Sequence, residues 1–392
     1  MSNLPLTHFD RIRKLRPELW RYLDKEAVRL NDIGWKGAVH SVDDIESPFF
    51  ESYITVAFNQ HINDLALKTN IPSEIIEREF KQSVHAKLLL QSLNQDYHTL
   101  LNFEFFSKKT FYFFDCISEN LLGTELNIQS EMIRLPFDSC LLVFQGNAVI
   151  DALAHGFPEW KLKTRDYAYP ISVFVTSHPD KTQEGCRKIL MSISHWHGDE
   201  LNLLIKREVS IRPKWSLEES LRTDWELLGE VEGGGFFLSN DGDAKKIKDE
   251  QFYTDGLSFF RLILNSLLYL SSSDPDIIEK LSGREMALNN ALTIKSSIKS
   301  KVARKEARKI SELNYSSIGE STKSIYIRKG ELDSKKSPLG SFREYAIRFL
   351  VRGHWRNQAC GFSLTEYRLT WIKPYYKGSE ISQLVNKPYL VK

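Results

Sequence analysis

One short stretch near the end of the chain concentrates residue types that could act on a phosphate group. Residues 353–378 read GHWRNQACGFSLTEYRLTWIKPYYKG and include His354, Arg356 and Arg368. A guanidinium group binds a phosphate through paired hydrogen bonds, and histidine exchanges a proton near neutral pH. These three residues are therefore candidate catalytic residues for RNA cleavage without a metal, with histidine as acid or base and arginine stabilising the phosphorane.

A β-hairpin is the element that would bring these side chains together. Side chains alternate between the two faces of a strand, so His354 and Arg356 share one face of the first strand. On the second strand, Arg368 lies on one face, whereas Trp371 and Lys373 lie on the other. A turn through the ACGFSL segment would place His354 and Arg356 near Arg368 or Lys373.

The aromatic residues of this stretch have two interpretations. Trp355, Trp371 and Tyr375 could stack on the bases of RNA, as aromatic side chains do in many RNA-binding proteins. Alternatively, the tryptophans belong to a folded core and the cations form its charged rim. The sequence leaves both interpretations open.

The distribution of charge along the chain suggests an anionic partner. The formal net charge is only +2, but residues 281–392 carry 22 Lys and Arg against 9 Asp and Glu, which is +13. The remaining residues, 1–280, are acidic. Nucleic acid is the commonest partner of such a basic segment, because phosphate contacts release counterions. In the alternative, the basic segment docks on the acidic part of the same chain.

A basic helix is predicted over residues 284–313. Ile294, Ile298 and Val302 recur at helical spacing and predict one apolar face, while cations occupy the others. Either the cations bind phosphates, which would be insensitive to sequence, or they form a solvated surface. The predicted RNA- or phosphate-binding residues of this helix and of the C-terminal stretch are Lys295, Lys299, Lys301, Arg304, Lys305, Arg308, Lys309, Arg352, Arg356, Arg368, Lys373 and Lys377.

The fold class predicted from the patterns is α+β. Residues 1–125 are predicted to be helical, including a helix within 108–126, and residues 126–280 to form a central domain with a mostly antiparallel sheet. Residues 281–324 would comprise the basic helix and a Ser-rich linker from 314. A β-rich region would complete the chain over residues 325–392.

No cofactor and no metal ion is predicted. His195 and His197 have the H-x-H spacing of two metal ligands, but no third ligand is set by spacing, and a polar strand end before a turn at Gly198 is the better explanation. The four cysteines are scattered without metal-binding spacing, and the glycines of residues 233–235 lack the lysine of a phosphate loop. The N-terminal residues lack an apolar signal segment, and no run of residues suits a membrane span. We therefore expect a cytoplasmic location and no membrane partner.

Three stretches of the sequence resemble a known family. VRGHWRNQACG followed by YRLTWIKPYYKG is similar to the C-terminal signature of a family of phage, plasmid and bacterial proteins that includes the second-numbered type V-A anti-CRISPR protein. Residues 133–144 and 264–277 resemble the same family. Relatives often have a Gly-Pro-Gly-like turn where this chain has ACGFSL. Carried over to this chain, the signature positions are His354, Trp355, Arg356, Arg368, Trp371, Pro374 and Lys377.

The resemblance implies a function in the control of a message. It implies recognition of a nascent polypeptide on the translating ribosome, followed by loss of the target message. RNA or the ribosome, and the nascent polypeptide of a target protein, would then be the partners. A metal-free ribonuclease acting through the C-terminal hairpin and a non-catalytic protein- or RNA-binding module are the alternatives.

Overall fold

The structure is a computed structural model of the 392-residue chain. The residues that it describes are 13, 17–39, 42–106, 108–133, 135, 137–155, 170–180, 183–197, 200–230, 250–308, 313–322, 347–377 and 383–384.

Helices and strands alternate irregularly along the described residues. The α-helices are α1 (Pro17–Asp32), α2 (Pro48–Thr69), α3 (Ser73–Lys81), α4 (Val84–Phe105), α5 (Asp115–Leu122), α6 (Asn147–His155), α7 (Leu217–Glu230), α8 (Glu250–Ser271), α9 (Gly283–Leu292) and α10 (Ser297–Ala307). The strands are β1 (Lys109–Phe113), β2 (Ser139–Phe144), β3 (Ile171–Pro179), β4 (Arg187–His197), β5 (Glu200–Ile211), β6 (Ile277–Lys280), β7 (Tyr315–Ile318), β8 (Ile347–Val351), β9 (His354–Cys360), β10 (Glu366–Ile372), β11 (Tyr375–Lys377) and β12 (Gln383–Leu384).

A seven-stranded sheet organises the molecule, in the order β5-β4-β3-β2-β1-β7-β6. Strands β2 to β5 pair in chain order, each antiparallel to the next, and helix α6 lies between β2 and β3 in the chain. Strand β1 is parallel to both of its neighbours, β2 and β7, and β6 is antiparallel to β7. The α+β class and the mostly antiparallel sheet predicted from the sequence are confirmed.

Helices cover both faces of this sheet. Helices α1 and α4 pack on one face, where Tyr97 and Phe103 are buried against Leu141 and Val143 of β2. Helices α5 to α8 pack on the other face, and α8 is buried along most of its described length. A buried polar group on the first face, the Glu26 carboxylate, pairs with Arg29 and accepts a hydrogen bond from Ser47. Burial of a charge is tolerated here because it is paired.

The predicted helix over residues 108–126 is wrong in its first half. Residues 109–113 form β1, and α5 begins only at Asp115. Strand β1 lies inside the sheet, so its apolar residues point to both faces, with Phe111 and Phe113 on one side and Tyr112 on the other. A continuous apolar run of this kind has no strand periodicity to distinguish it from a buried helix.

The Ser-rich linker predicted from residue 314 is also wrong over residues 315–318. These residues form β7, which lies between β1 and β6. Ser317 is 1% exposed and its hydroxyl donates a hydrogen bond to Glu320. The predicted boundaries near residues 125 and 280 also do not separate two cores, because strands from both sides of each boundary belong to this one sheet.

The C-terminal strands form smaller sheets outside the seven-stranded one. Strands β9 and β10 make an antiparallel hairpin, and β8 lies between β11 and β12. In the described residues, no helix is both long enough and apolar enough to cross a membrane.

Candidate functional site

The register of the β9–β10 hairpin determines which candidate side chains lie together. Trp355 pairs with Trp371, Arg356 with Thr370, and Gln358 with Arg368. Directly opposed residues of an antiparallel pair share a face, and the face alternates at each residue. His354, Arg356 and Arg368 therefore lie on one face of the hairpin, and the two tryptophans lie on the other.

The tryptophan face packs against helix α8. Trp355 and Trp371 are only 9% and 7% exposed, and Leu369 between them is buried too. The Trp371 ring meets the Tyr269 ring edge to face, with centroids 5.4 Å apart. Neither indole is open to a base, so the prediction that Trp355 and Trp371 stack on RNA is contradicted by their burial. The alternative, that the tryptophans belong to the core, describes both of them.

Asn265 of α8 connects the hairpin to the rest of the core. The Trp355 indole Nε1 donates a hydrogen bond to Asn265 Oδ1 at 2.8 Å. Asn265 Nδ2 donates in turn to the carbonyl oxygens of Leu121 and Thr124, at 3.0 and 2.8 Å, where α5 ends. The Asn265 side chain is fully buried, and each of its polar atoms has a partner. This amide therefore ties three separate parts of the chain together.

Further contacts along the end of α8 hold the second strand of the hairpin. The Ser273 backbone N–H donates to the Leu369 carbonyl at 3.2 Å, and the hydroxyls of Ser273 and Thr370 lie 3.2 Å apart. Tyr269 accepts a hydrogen bond from the Asp276 backbone N–H at 3.0 Å. Burial raises the pKa of the Tyr269 phenol, so the group stays neutral and keeps its hydroxyl.

Gly353 allows the Trp371 ring to approach the backbone. A Cβ atom built on Gly353 would lie 2.9 Å from Cζ2 of Trp371, closer than carbon atoms can pack. The glycine at the entrance of β9 therefore has a steric role in the hairpin.

The opposite face of the hairpin is cationic and open. His354, Arg356 and Arg368 are all exposed. Among the residues that the structure describes, no carboxylate forms an ion pair with Arg356 or Arg368. Two unpaired guanidinium groups on one face are a suitable site for phosphate oxygens. Arg352, Lys373 and Lys377 are exposed near the same strands, and Tyr375 is 42% exposed.

The contact of the His354 ring with the backbone favours one tautomer of the neutral ring. His354 Nδ1 lies 3.1 Å from the Arg352 carbonyl oxygen. A carbonyl oxygen can only accept, so Nδ1 carries the hydrogen and Nε2 has the lone pair in the neutral ring. Nε2 is thus the nitrogen that can accept a proton.

The turn of the hairpin exposes apolar residues that the sequence interpretation overlooked. Phe362 is 95% exposed, Leu364 63% and Tyr367 66%. Leu364 also has a φ of +55°, which is a strained conformation for a branched side chain. The sequence does contain a sign of this exposure, because Phe362 and Leu364 are apolar residues in the ACGFSL turn, where polar residues are usual. We refer to Phe362, Leu364 and Tyr367 as the hairpin tip.

The predicted basic helix over residues 284–313 is two helices. Helix α9 ends at Leu292, and α10 begins at Ser297 and packs against it, with the Ser300 hydroxyl donating to the Ala291 carbonyl at 2.8 Å. Ser300 and Ala307 form the buried face of α10, because small residues allow two helices to approach closely.

The predicted apolar face of the basic helix is consequently wrong. Ile298 is 75% exposed and Val302 57% exposed. The cations of this segment are at the surface as expected: Lys295, Lys299, Lys301, Arg304, Lys305 and Arg308 are all exposed. Lys309 lies outside the described residues.

The remaining sequence motifs form no described site. His195 and His197 lie in β4, but their side chains are outside the described part, as are the glycines of residues 233–235. Across the described ranges, no group of three His, Cys, Asp or Glu side chains is arranged to hold a metal ion.

Comparison with protein families identifies the chain. The model of the anti-CRISPR type V subtype A2 family matches residues 117–376, about two thirds of the chain. The chain belongs to this family. No curated protein matches it.

The match to the anti-CRISPR type V subtype A2 family includes the whole C-terminal hairpin and the Asn265–Trp355 hydrogen bond. It begins within α5 at Ile117 and ends within β11 at Tyr376, so α1 to α4 and β1 lie outside it. The resemblance noted in residues 264–277 and in the C-terminal signature therefore corresponds to segments in direct contact. The signature residues that face α8, Trp355 and Trp371, pack in the core. Among the described residues, no packing role is seen for the signature cations on the other face, Arg356 and Arg368.

Proposed function

We propose that this anti-CRISPR-like protein acts in the cytoplasm of the infected or plasmid-bearing cell, recognises a nascent polypeptide on the translating ribosome, and causes loss of the message being translated. The effector nuclease of a type V CRISPR system is the target to test first, because of the family to which the chain belongs.

The observation that supports contact with RNA is the open cationic face of the hairpin. His354, Arg356 and Arg368 share that face, and the two arginines have no carboxylate partner among the described residues. A surface of this kind binds phosphates without reading the sequence. The exposed cations of α10 provide a second basic surface. Because phosphate contacts carry no sequence information, selection of one message is assigned to the nascent polypeptide.

The proposal is tested by measuring target messages in cells that express the protein. We expect the message of a type V nuclease to fall, and to fall equally when its codons are replaced by synonymous ones, because the encoded peptide is unchanged. The same message without its start codon should be spared. His354→Ala/Arg356→Ala should restore the message level, because both exposed groups contact RNA in this proposal.

Several outcomes would count against this function. Message levels that are the same with the wild-type protein, with the double variant and without the protein would refute it. Depletion that follows the nucleotide sequence and is lost on synonymous recoding would refute recognition of the peptide. An immunoblot for the protein ensures that the variants are present at equal amounts.

The His354 geometry favours a second candidate, in which the hairpin itself cleaves RNA. The Nε2 lone pair of His354 is available as a general base, and Arg356 on the same face could stabilise the phosphorane. The purified protein should then cleave labelled RNA in the presence of a chelator, and His354→Ala should slow the cleavage by about 10²–10⁴-fold. RNA that stays intact with folded protein would exclude this candidate.

A further inference from the structure

We propose that the β9–β10 hairpin binds single-stranded RNA, with bases stacked on Phe362 and Tyr367 of the hairpin tip and phosphates held by Arg356 and Arg368. This inference rests on the proposed contact with a message and specifies the form of nucleic acid and the residues that bind it.

The aromatic rings of the hairpin tip are displayed to solvent without a packing role. Phe362 is 95% exposed and Tyr367 is 66% exposed. Tyr367 is on the same face as Trp371, but it lies four residues nearer the turn. The tryptophans are covered by α8, whereas the tip of the same face is open. Rings that contribute nothing to the core are available for a ligand.

The cations lie on the opposite face of the hairpin from Tyr367, along the same strands. Arg356 pairs with Thr370 and Arg368 pairs with Gln358, so the two arginines are diagonal neighbours across the strand pair. The Cα atoms of such neighbours are roughly 7 Å apart. Tyr367 and Arg368 are consecutive residues, so a ring and a guanidinium project from neighbouring positions on opposite sides of the strand. A strand of RNA that passes over the tip can place a base on the ring and its phosphate on the arginine.

This combination suits a single strand better than a duplex. Paired bases are stacked inside a helix, where a protein ring cannot reach their faces, while the bases of a single strand are free to stack on aromatic side chains. Duplex RNA is bound through its phosphates and 2′-hydroxyl groups, contacts that need no aromatic ring. Any base can stack on an aromatic ring, so we expect the hairpin to bind RNA with little sequence preference. This agrees with the proposal that the nascent polypeptide, and not the RNA sequence, determines which message is lost.

The strained turn presents the aromatic residues. Gly361 has a φ of +77°, Leu364 has a φ of +55°, and the Leu364 N–H donates to the Gly361 carbonyl at 3.3 Å. The turn is thereby closed on itself, and Phe362 is held outward from it. The backbone that carries Phe362 is therefore already ordered before a ligand binds, which lowers the ordering cost of binding.

Binding is measured by fluorescence anisotropy with the full-length protein and a labelled, unstructured 12-nucleotide RNA, and with a duplex of the same length. Phe362→Ala/Tyr367→Ala should weaken binding of the single strand by at least about tenfold, since each base–aromatic contact accounts for that order of affinity. The slope of log affinity against log salt should not change. Binding of the duplex should not change either.

Removal of the two arginines should change the salt dependence of RNA binding, which removal of the aromatic rings leaves unchanged. For Arg356→Gln/Arg368→Gln, the salt slope should become smaller by about 1.4, because each phosphate contact of a single strand contributes about 0.7. Two controls are matched to these variants in the N-terminal part of the chain. Leu67→Ala/Ile71→Ala removes two exposed apolar residues, and Lys68→Gln/Arg78→Gln removes two exposed cations. Both controls should bind as the wild type does.

The outcomes separate this inference from the function on which it rests. If the tip variant binds single-stranded RNA as tightly as the wild type, the inference is wrong, whatever happens in cells. If that variant nevertheless loses message depletion, the tip contacts a protein, and the proposed function survives. If the wild type prefers the duplex, or if the tip variant weakens both RNAs equally, single-strand stacking is refuted. Unchanged circular dichroism and melting of each variant exclude unfolding as the cause.

Discussion

Replacement of Asn265 by alanine should destabilise the protein by about 3–5 kcal/mol. The change removes a fully buried amide and leaves the Trp355 indole N–H and the Thr124 carbonyl without a partner. Each buried polar group that loses its partner costs about 1–3 kcal/mol, and the cavity left by the amide adds to this cost. The Leu121 carbonyl is less affected, because it also accepts from the Thr124 N–H. Urea unfolding followed by circular dichroism measures the loss.

The same variant should loosen the C-terminal hairpin more than the sheet. Trp355 is the residue that connects the hairpin to the amide, so amide hydrogens of β9 and β10 should exchange faster in Asn265→Ala, while those of β2 and β3 change less. Asn290→Ala is the control, because Asn290 is exposed on α9. A surface change of this type alters stability by less than about 0.5 kcal/mol. If Asn265→Ala were as mild as this control, the amide would not be the connection described above.

The hairpin was predictable because local rules determine it. Alternation along two short strands and a turn with Gly361 are sufficient to place His354 and Arg356 on one face. The sequence does not specify which face turns inward, because each face has residues that suit a core or a surface. The buried face is determined by Asn265, which lies ninety residues earlier in the chain and accepts a hydrogen bond from the Trp355 indole. Such a long-range contact has no periodic signal.

The errors in the central part of the chain have a related physical origin. Strand β7 has the sequence YSSI, whose serines are poor strand formers, yet its position between two strands buries it. Here the tertiary environment overrides the local preference. In the basic segment, helical spacing predicted that Ile298 and Val302 would be buried, whereas the small residues Ser300 and Ala307 are the buried ones, and Ser300 contacts α9. The spacing of apolar residues along a helix does not show whether the apolar face or a face of small residues packs against the neighbouring helix.

The hairpin tip shows a different kind of omission. Apolar residues in a turn have no periodic pattern that distinguishes an exposed side chain from a buried one, so the sequence indicates only a turn at Phe362 and Leu364. Only the exposed fractions, 95% and 63%, separate them from Leu369, which is buried two residues from Tyr367. The residues that bear most on the function proposed here were thus the least accessible from the sequence.

Replacement of Gly319 by alanine should cost about 2–5 kcal/mol, for two separate reasons. Gly319 has a φ of +76°, and an alanine in this left-handed region is strained by about 1–2 kcal/mol. Its Cβ would also lie only 2.5 Å from Cβ and Cγ2 of Ile117, a fully buried residue of α5. Overpacking of this kind costs about 1–3 kcal/mol. The backbone cannot easily withdraw, because the Gly319 N–H donates to the Asp276 carbonyl at 3.0 Å.

A second glycine separates the two causes. Gly34 has a similar φ of +68°, but a Cβ atom there would have no neighbour within 4 Å. Gly34→Ala should therefore show the backbone strain alone, and the excess cost of Gly319→Ala over Gly34→Ala measures the collision with Ile117. The excess should shrink only in part when Ile117→Ala removes Cγ1 and Cγ2, because the Cβ of residue 117, also 2.5 Å from the added Cβ, remains. Equal costs for the two glycine variants would mean that β7 and α5 are not packed as closely as described. A side chain at position 319 would then fit beside Ile117, although the described position of the Ile117 side chain leaves no room for a Cβ atom there.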